Sequence, residues 1–182
     1  MVANTITISR TVLTFGVLAG LGRHLWLDIA LIFAIAFIIA LDALDGYIAR
    51  KRNATSETGA VLDTLADRLI ENTFFIYFSV LGLLPVWMPI VVMCRGFLTD
   101  ALQGMSGNPP QEGWRFALTR SRLSRAVSGL TKLLAFTSLA SASVFSNETL
   151  STLSRSLALL CVGFCLVRGI PFVFGKPKST DI

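Results

Sequence analysis

The sequence predicts an all-α, polytopic membrane protein with six transmembrane helices. Hydrophobic residues make up 53% of the 182 residues, charged residues only 15%, and the mean hydropathy is +0.68. Soluble domains carry about 25% charged residues. The hydrophobic residues also fall in long runs, several of which approach the roughly 20 residues needed to cross a bilayer. Because no linker or internal repeat separates these runs, we expect one membrane domain over residues 1–182.

The runs give six helical spans in chain order. The predicted spans are 8–21, 25–43, 59–84, 86–105, 126–145 and 153–174. The first is short, so its start is expected in the membrane interface. The third ends before Pro85, because the residue before a proline is disfavoured in a helix. Between the fourth and fifth, residues 106–125 contain turn residues and a basic cluster and are predicted to form a polar loop.

Lysine and arginine are distributed unevenly between the two sets of loops. One set, with the C-terminal tail, carries Arg50, Lys51, Arg52, Arg115, Arg120, Arg122, Arg125, Lys176 and Lys178. The opposite set carries only Arg23 and Arg155. The positive-inside rule therefore places both termini and residues 42–67 on the cytoplasmic side of the cell (inner) membrane. An even number of spans agrees, since it leaves both termini on one side.

Four aspartates lie where hydrophobic runs begin or end. Asp42 and Asp45 are separated by three residues and Asp63 and Asp67 by four, so each pair shares one helical face. Carboxylates near hydrocarbon are costly and usually mark a functional site. If the two faces are opposed, four carboxylates surround one point. Ligand sets made only of oxygen suit hard divalent cations, so we predict a magnesium site.

Small and cationic residues occupy the positions between the two pairs. Gly46 and Ala49 leave the helix surface open to the close approach of a ligand, and Gly59 does the same on the next helix. Arg50 offers a planar, permanently charged guanidinium suited to phosphate. The whole segment reads D-x-x-D-G-x-x-A-R, eight residues, and then G-x-x-x-D-x-x-x-D.

This pattern resembles the signature of the CDP-alcohol phosphotransferases, membrane enzymes that make phospholipids from a CDP-linked lipid. All eight specified positions are filled. The resemblance implies transfer of a phosphatidyl group from CDP-diacylglycerol to an alcohol, with release of CMP. It further implies that Asp42 and Asp63 bridge two Mg²⁺ ions, for which Mn²⁺ can substitute. Asp45 and Asp67 would each complete one ion, and Asp67 would accept the proton of the attacking hydroxyl.

The resemblance also implies a set of contacts to the CDP-lipid. The residues concerned are Asn4, Thr7, Gly46, Ala49, Arg50, Ser56 and Gly59. Asn4 and Thr7 belong to an N-x-x-T-x-x-R element before the first span, and family members usually have an Asn-x-x-Thr element there. Without the resemblance, this element would be interpreted as a helix-capping region followed by an interfacial arginine, Arg10.

The identity of the acceptor alcohol is predicted from charged residues within or at the ends of the last three spans. These are Arg95, Asp100, Lys132 and Arg168. Each could extend to the interface or form an internal ion pair, or the cations could line a pocket for a phosphorylated acceptor. Arg95 resembles an arginine in the fourth span of phosphatidylglycerophosphate synthases. We therefore predict glycerol-3-phosphate as the acceptor, with Arg95, Arg125 and Lys132 at its phosphate.

Two positions leave the acceptor open. Thr64 and Arg68 stand where those synthases usually have proline and lysine, so inositol phosphate or another polar alcohol is an alternative. A different class is a cation-coupled transporter that holds its ion with intramembrane carboxylates, but Gly46, Arg50 and Gly59 would then have no role. The predicted partners are CDP-diacylglycerol, a small polar alcohol and the lipid bilayer. No nucleic acid is expected, and a homodimer is consistent with the family.

Overall fold

The computed structural model describes residues 2–52, 57–106, 113–119 and 121–173. Within these ranges the side chains of residues 2–6, 42–52, 57, 58, 60, 105, 106 and 115 are not described. The described chain forms seven α-helices and contains no strand. They are α1 (Val2–Gly20), α2 (Leu25–Arg52), α3 (Glu57–Val80), α4 (Trp87–Ser106), α5 (Trp114–Thr119), α6 (Arg122–Phe145) and α7 (Glu148–Val173). The predicted all-α class is confirmed.

The six long helices correspond to the six predicted spans, but several begin or end elsewhere. Helix α2 continues to Arg52 instead of ending at residue 43, because the extra segment contains no proline and its single glycine costs only about 1 kcal/mol. Helix α3 ends at Val80 instead of residue 84. Gly82 there adopts a left-handed φ of 73°, and its amide donates to the Ser79 carbonyl at 3.0 Å, which closes the helix in the usual way for glycine.

Polar caps move the starts of α6 and α7 ahead of the predicted residues 126 and 153. Ser121 precedes α6, and its hydroxyl accepts a hydrogen bond from the Ser124 amide at 3.1 Å. Asn147 precedes α7, and its side-chain oxygen accepts a hydrogen bond from the Thr149 amide at 2.9 Å. Serine and asparagine are preferred at this position because they satisfy amides that the helix leaves free.

Helix α5 was not predicted, because residues 106–125 were interpreted as a polar loop. It follows Gly113, which has a left-handed φ of 87°, and packs on α6 and α7. Arg168 of α7 fixes its end by donating from Nη2 to the Thr119 carbonyl at 3.0 Å. Helix α5 is thereby tied to α7.

The centre of the bundle is an aromatic cluster between α3 and α6. The Phe74 and Phe136 rings stack with centroids 4.8 Å apart, and Phe75 meets Phe136 edge-on at 5.2 Å. All three side chains are buried, and such ring pairs add to the free energy gained by burial. Around this core α1 packs on α2 and α3, α2 on α6, and α4 and α6 on α7. The core holds α3 two turns beyond Asp67, which fixes the orientation of the aspartate-bearing face.

Two stretches of the chain, Phe116–Phe145 and Glu148–Val173, have the length and apolar composition needed to cross a membrane. The other long helices fall short of that measure in the described part of the chain. All six long helices nevertheless expose large hydrophobic side chains on the outside of the bundle. One example from each is Phe15, Phe37, Ile76, Phe97, Leu130 and Leu160. An apolar exterior of this extent is typical of a surface covered by lipid or by another protein.

Candidate active site

The second aspartate pair lies on α3 beside a buried arginine of α1. Arg10 Nη2 donates to Asp67 Oδ1 at 2.6 Å and lies 3.9 Å from Asp63 Oδ1. The Arg10 side chain is 3% exposed, whereas those of Asp63 and Asp67 are 53% and 40% exposed. The two carboxylates therefore converge on one cation while each keeps a surface open to a ligand.

Arg10 connects the N-terminal element to this pair. Thr7 lies one turn before Arg10 on α1 and is buried, and its carbonyl accepts a hydrogen bond from the Thr11 hydroxyl at 3.0 Å. The face of α1 that carries Thr7 thus leads directly to the aspartates. Asn4 lies one further turn away, and its side chain is outside the described set.

The predicted residues of the first half of the signature belong to α2 but lack described side chains. These are Asp42, Asp45, Gly46, Ala49 and Arg50, while Ser56 lies outside the described residues altogether. Helix α2 lies next to the second pair. Its residues Ile38 and Ile39 line a small cavity of about 30 Å³ together with Arg10 and Asp67. Ile39 precedes Asp42 by less than one helical turn. Gly59 lies one turn before Asp63 on α3.

The donor chemistry of the second pair fits a divalent cation. Asp63 and Asp67 offer only oxygen ligands, on one helical face and partly open to solvent, which is what Mg²⁺ and Mn²⁺ prefer. Among the side chains that the structure describes, no three carboxylate, histidine or cysteine groups come together as a metal site. Asp42 and Asp45, the other two predicted ligands, are not among those side chains.

A cavity of about 280 Å³ opens beside Asp67, bounded by α3, α4, α5, α6 and α7. Its charged lining consists of Asp67, Arg68, Glu71, Arg95, Asp100, Lys132 and Arg168. Four of these seven groups are cations, although the cavity lies in the bundle interior. Partly buried cations in such numbers are expected where a site binds an anion.

Two of the cations are held by carboxylates of the same cavity. Lys132 Nζ lies 3.0 Å from Glu71 Oε2, and Arg68 Nη2 lies 3.2 Å from Asp100 Oδ1. The internal ion pairs considered for Lys132 and Asp100 therefore exist. They also line a ligand-sized space, so the two interpretations of these residues are compatible.

The other two cations have donor groups available to a ligand. The Nε atoms of Arg95 and Arg168 are buried without a hydrogen-bond partner among the described residues. Arg95 crosses from α4 to α7, where Gly169 makes room for it: a Cβ atom there would lie 3.1 Å from Arg95 Nε. A buried donor that stays unpaired costs about 1–3 kcal/mol, more for a charged group. An anion in the cavity would remove that cost.

The structure brings two of the three predicted acceptor residues together. Arg95 and Lys132 line the same cavity, while Arg125, two turns before Lys132 on α6, does not line it. Sequence reasoning assigned no role to Arg68 or Glu71. Glu71 follows Asp67 by four residues, so the spacing of 63, 67 and 71 along one helical face was a signal that could have found it.

The model of the CDP-alcohol phosphatidyltransferase family matches residues 1–169 of this chain. The chain belongs to this family. The predicted membership is thus confirmed. The family is membrane-integral and generally depends on divalent metal ions, which agrees with the apolar exterior of the bundle and the aspartates on α3.

Several relatives are enzymes of phospholipid synthesis by name. A CDP-diacylglycerol–glycerol-3-phosphate 3-phosphatidyltransferase of Bacillus subtilis is 43% identical over 72 residues, 38% of this chain and 37% of the relative. A probable phosphatidylglycerophosphate synthase of Mycobacterium tuberculosis is 32% identical over 99 residues, 51% and 46% of the two chains. A cardiolipin synthase (CMP-forming) of Streptomyces coelicolor is 30% identical over 115 residues, 56% and 54%. The chain therefore spans about half or less of the length of these curated relatives.

Proposed function

We propose that this protein transfers the phosphatidyl group of CDP-diacylglycerol to glycerol-3-phosphate and releases CMP. The observation that carries the proposal is the cation-lined cavity directly beside Asp67. A phosphorylated acceptor brings about two negative charges into the bundle interior, and fixed cations must replace its water. Arg95 and Arg168 are half-buried, and their buried Nε atoms supply unused N–H donors there. The names of the Bacillus and Mycobacterium relatives support the same acceptor.

In the proposed reaction, Asp67 accepts the proton of the acceptor hydroxyl that faces it. The hydroxyl oxygen forms a bond to the phosphorus that carries diacylglycerol, and the bond from this phosphorus to CMP breaks. The residues assigned to the CDP-lipid are Asn4, Thr7, Gly46, Ala49, Arg50, Ser56 and Gly59. The residues assigned to two Mg²⁺ ions are Asp42, Asp45, Asp63 and Asp67. Such ions would neutralise charge on the attacking and leaving oxygens.

An acceptor screen tests this function directly. The purified protein, in detergent with Mg²⁺ and labelled CDP-diacylglycerol, is offered glycerol-3-phosphate, inositol phosphate, glycerol, inositol, serine and phosphatidylglycerol. We expect phosphatidylglycerophosphate and CMP in equal amounts. Thr64 and Arg68, the two departures from the phosphatidylglycerophosphate synthases, both line the acceptor cavity. Preference for inositol phosphate would therefore change the proposed acceptor but keep the assignment of this cavity to the acceptor's phosphate. Preference for an unphosphorylated alcohol would contradict the proposal.

Arg95→Ala is expected to raise the Michaelis constant for the acceptor by about ten- to a hundredfold, because a hydrogen bond to a charged group contributes about 1.5–3 kcal/mol. The constant for CDP-diacylglycerol should change little, since the lost contact belongs to the acceptor alone. Initial rates with each substrate varied in turn measure both constants. Arg155→Ala is the matched control, because Arg155 is exposed and donates to the Leu83 carbonyl at 2.9 Å, outside this cavity. Unchanged acceptor kinetics in Arg95→Ala would refute the assignment.

We further propose that all six long helices cross the membrane and that the active site faces the cytoplasm. The loop charges support this orientation, and the hydrophobic exterior of every long helix supports six crossings. The apolar part of α2, Leu25–Leu41, reaches the lower limit of about 17 residues for a span, whereas that of α1, Thr7–Gly20, is shorter, which agrees with a start of α1 in the membrane interface. Their polar ends carry the residues assigned to the substrates.

Cysteines placed at the two ends of α6 test this orientation. Arg122 and Glu148 are exposed and flank α6 at its start and just beyond its end. In intact cells, an impermeant thiol reagent should label Glu148→Cys, and should label Arg122→Cys only after permeabilisation. The wild-type chain, with its three cysteines, serves as the blank. Labelling of Arg122→Cys in intact cells would reverse the proposed orientation.

A further inference from the structure

Glu71 is the most deeply buried carboxylate of the acceptor cavity. It lies one turn beyond Asp67 on α3, and its side chain is 4% exposed. One oxygen, Oε2, pairs with Lys132 Nζ at 3.0 Å and lies 4.0 Å from Arg68 Nη1. The other, Oε1, is buried and accepts no hydrogen bond from any described residue. A carboxylate can accept several hydrogen bonds, so a strong acceptor in this cavity is unused.

The cavity therefore contains unused groups of both kinds. Arg95 and Arg168 present buried N–H donors, and Glu71 presents a buried acceptor. A phosphate dianion alone would satisfy the arginines, but its oxygens would be repelled by the Glu71 carboxylate. A ligand that satisfies all three residues carries both an anionic group and a hydroxyl donor.

The position of Glu71 indicates which hydroxyl this is. Four residues along a helix correspond to about 6 Å, so Glu71 and Asp67 present two carboxylates one turn apart on the same face of α3. Asp67 is assigned the hydroxyl that reacts. A hydroxyl on the neighbouring carbon of the acceptor would then lie toward Glu71, deeper in the bundle.

We propose that Glu71 selects phosphorylated acceptors that carry a second hydroxyl beside the reacting one. Oε1 accepts the hydrogen bond of this second hydroxyl, while Arg95 and Arg168 bind the phosphate. The inference rests on the proposed function and adds to it a specificity-determining residue. Glycerol-3-phosphate meets the requirement, and the monophosphate of a simple diol, which has one free hydroxyl, does not.

The test compares glycerol-3-phosphate with 3-hydroxypropyl phosphate, which lacks only the second hydroxyl. We expect the wild-type kcat/KM to favour glycerol-3-phosphate by about ten- to a hundredfold, the effect of a hydrogen bond to a charged group. In Glu71→Ala the preference should nearly disappear. In Glu71→Gln, which keeps a neutral acceptor oxygen, it should fall by about three- to tenfold. The glutamine variant is isosteric, so the test stands even if Glu71→Ala fails to fold.

The preference ratio separates selection from charge balance. If Glu71 serves only as the counter-ion of Lys132, its variants will change the kinetics of both acceptors equally and leave the ratio unchanged. Asp100→Asn is the matched control, because it neutralises another carboxylate of the same cavity and should keep the wild-type ratio. An unchanged ratio in Glu71→Gln and Glu71→Ala, or a wild type without preference, would overturn the role of Glu71. Turnover with neither acceptor would overturn the proposed function itself.

Discussion

Asp67→Asn is expected to lower kcat by about a hundred- to ten-thousandfold, the usual contribution of a positioned general base. The asparagine side chain is isosteric and keeps an oxygen that can accept from Arg10 Nη2, which now lies 2.6 Å from Asp67 Oδ1. The fold should therefore survive the change. What is lost is the negative charge that takes up the proton of the acceptor and contributes to the cation site.

Rates at saturating acceptor and CDP-diacylglycerol measure this effect. Asp100→Asn provides the same chemical change on α4 in the acceptor cavity and should leave kcat within about tenfold of the wild type, since it removes only the carboxylate that lies 3.2 Å from Arg68 Nη2. The Mg²⁺ concentration that gives half-maximal rate, measured in both variants, reports whether Asp67 also binds the metal. A nearly normal kcat in Asp67→Asn would remove Asp67 from the chemistry.

The helices could be predicted from the sequence because hydrophobic runs dominate it. Their ends could not, since these depend on single hydrogen bonds. The Ser121 hydroxyl adds a first turn to α6, Asn147 does so for α7, and Gly82 stops α3 by its left-handed conformation. The sequence alone does not distinguish a serine, asparagine or glycine in a loop from one that caps a helix, because the difference depends on the neighbouring backbone.

The family could also be predicted from the sequence, because each position of the signature needs one residue type at one spacing. The pairing of Arg10 with Asp67 could not, since it joins residues separated by 57 positions and depends on the packing of α1 against α3. Arg10 alone was interpreted as an interfacial arginine. The pairing of Glu71 with Lys132 depends in the same way on α3 meeting α6. The spacing of residues in the sequence predicts which side chains share a face of one helix. Which side chains pair between different helices can be known only once the fold is known.

Removing divalent cations is expected to abolish turnover, and Mg²⁺ or Mn²⁺ should restore it. The diphosphate of the donor and the four aspartates of the signature carry charge of the same sign. Arg10 is the described cation in direct contact with Asp67, and it is a single charge. Arg68, Arg95, Lys132 and Arg168 line the acceptor cavity. The cations that the structure describes at Asp63 and Asp67 are thus too few to offset the donor's charge, and divalent ions at these carboxylates would supply the difference.

The measurement is CMP release with a chelator in excess, followed by titration with each metal. Asp63→Asn should raise the Mg²⁺ concentration needed for half-maximal rate, because Asp63 is an assigned ligand whose carboxylate is 53% exposed beside Arg10. Asp100→Asn, which also removes one carboxylate, should leave that concentration unchanged, because Asp100 pairs with Arg68 on another helix. Full activity in excess chelator would exclude a metal-dependent reaction. The charge of the donor's diphosphate would then have to be offset by arginines such as Arg10 and Arg50.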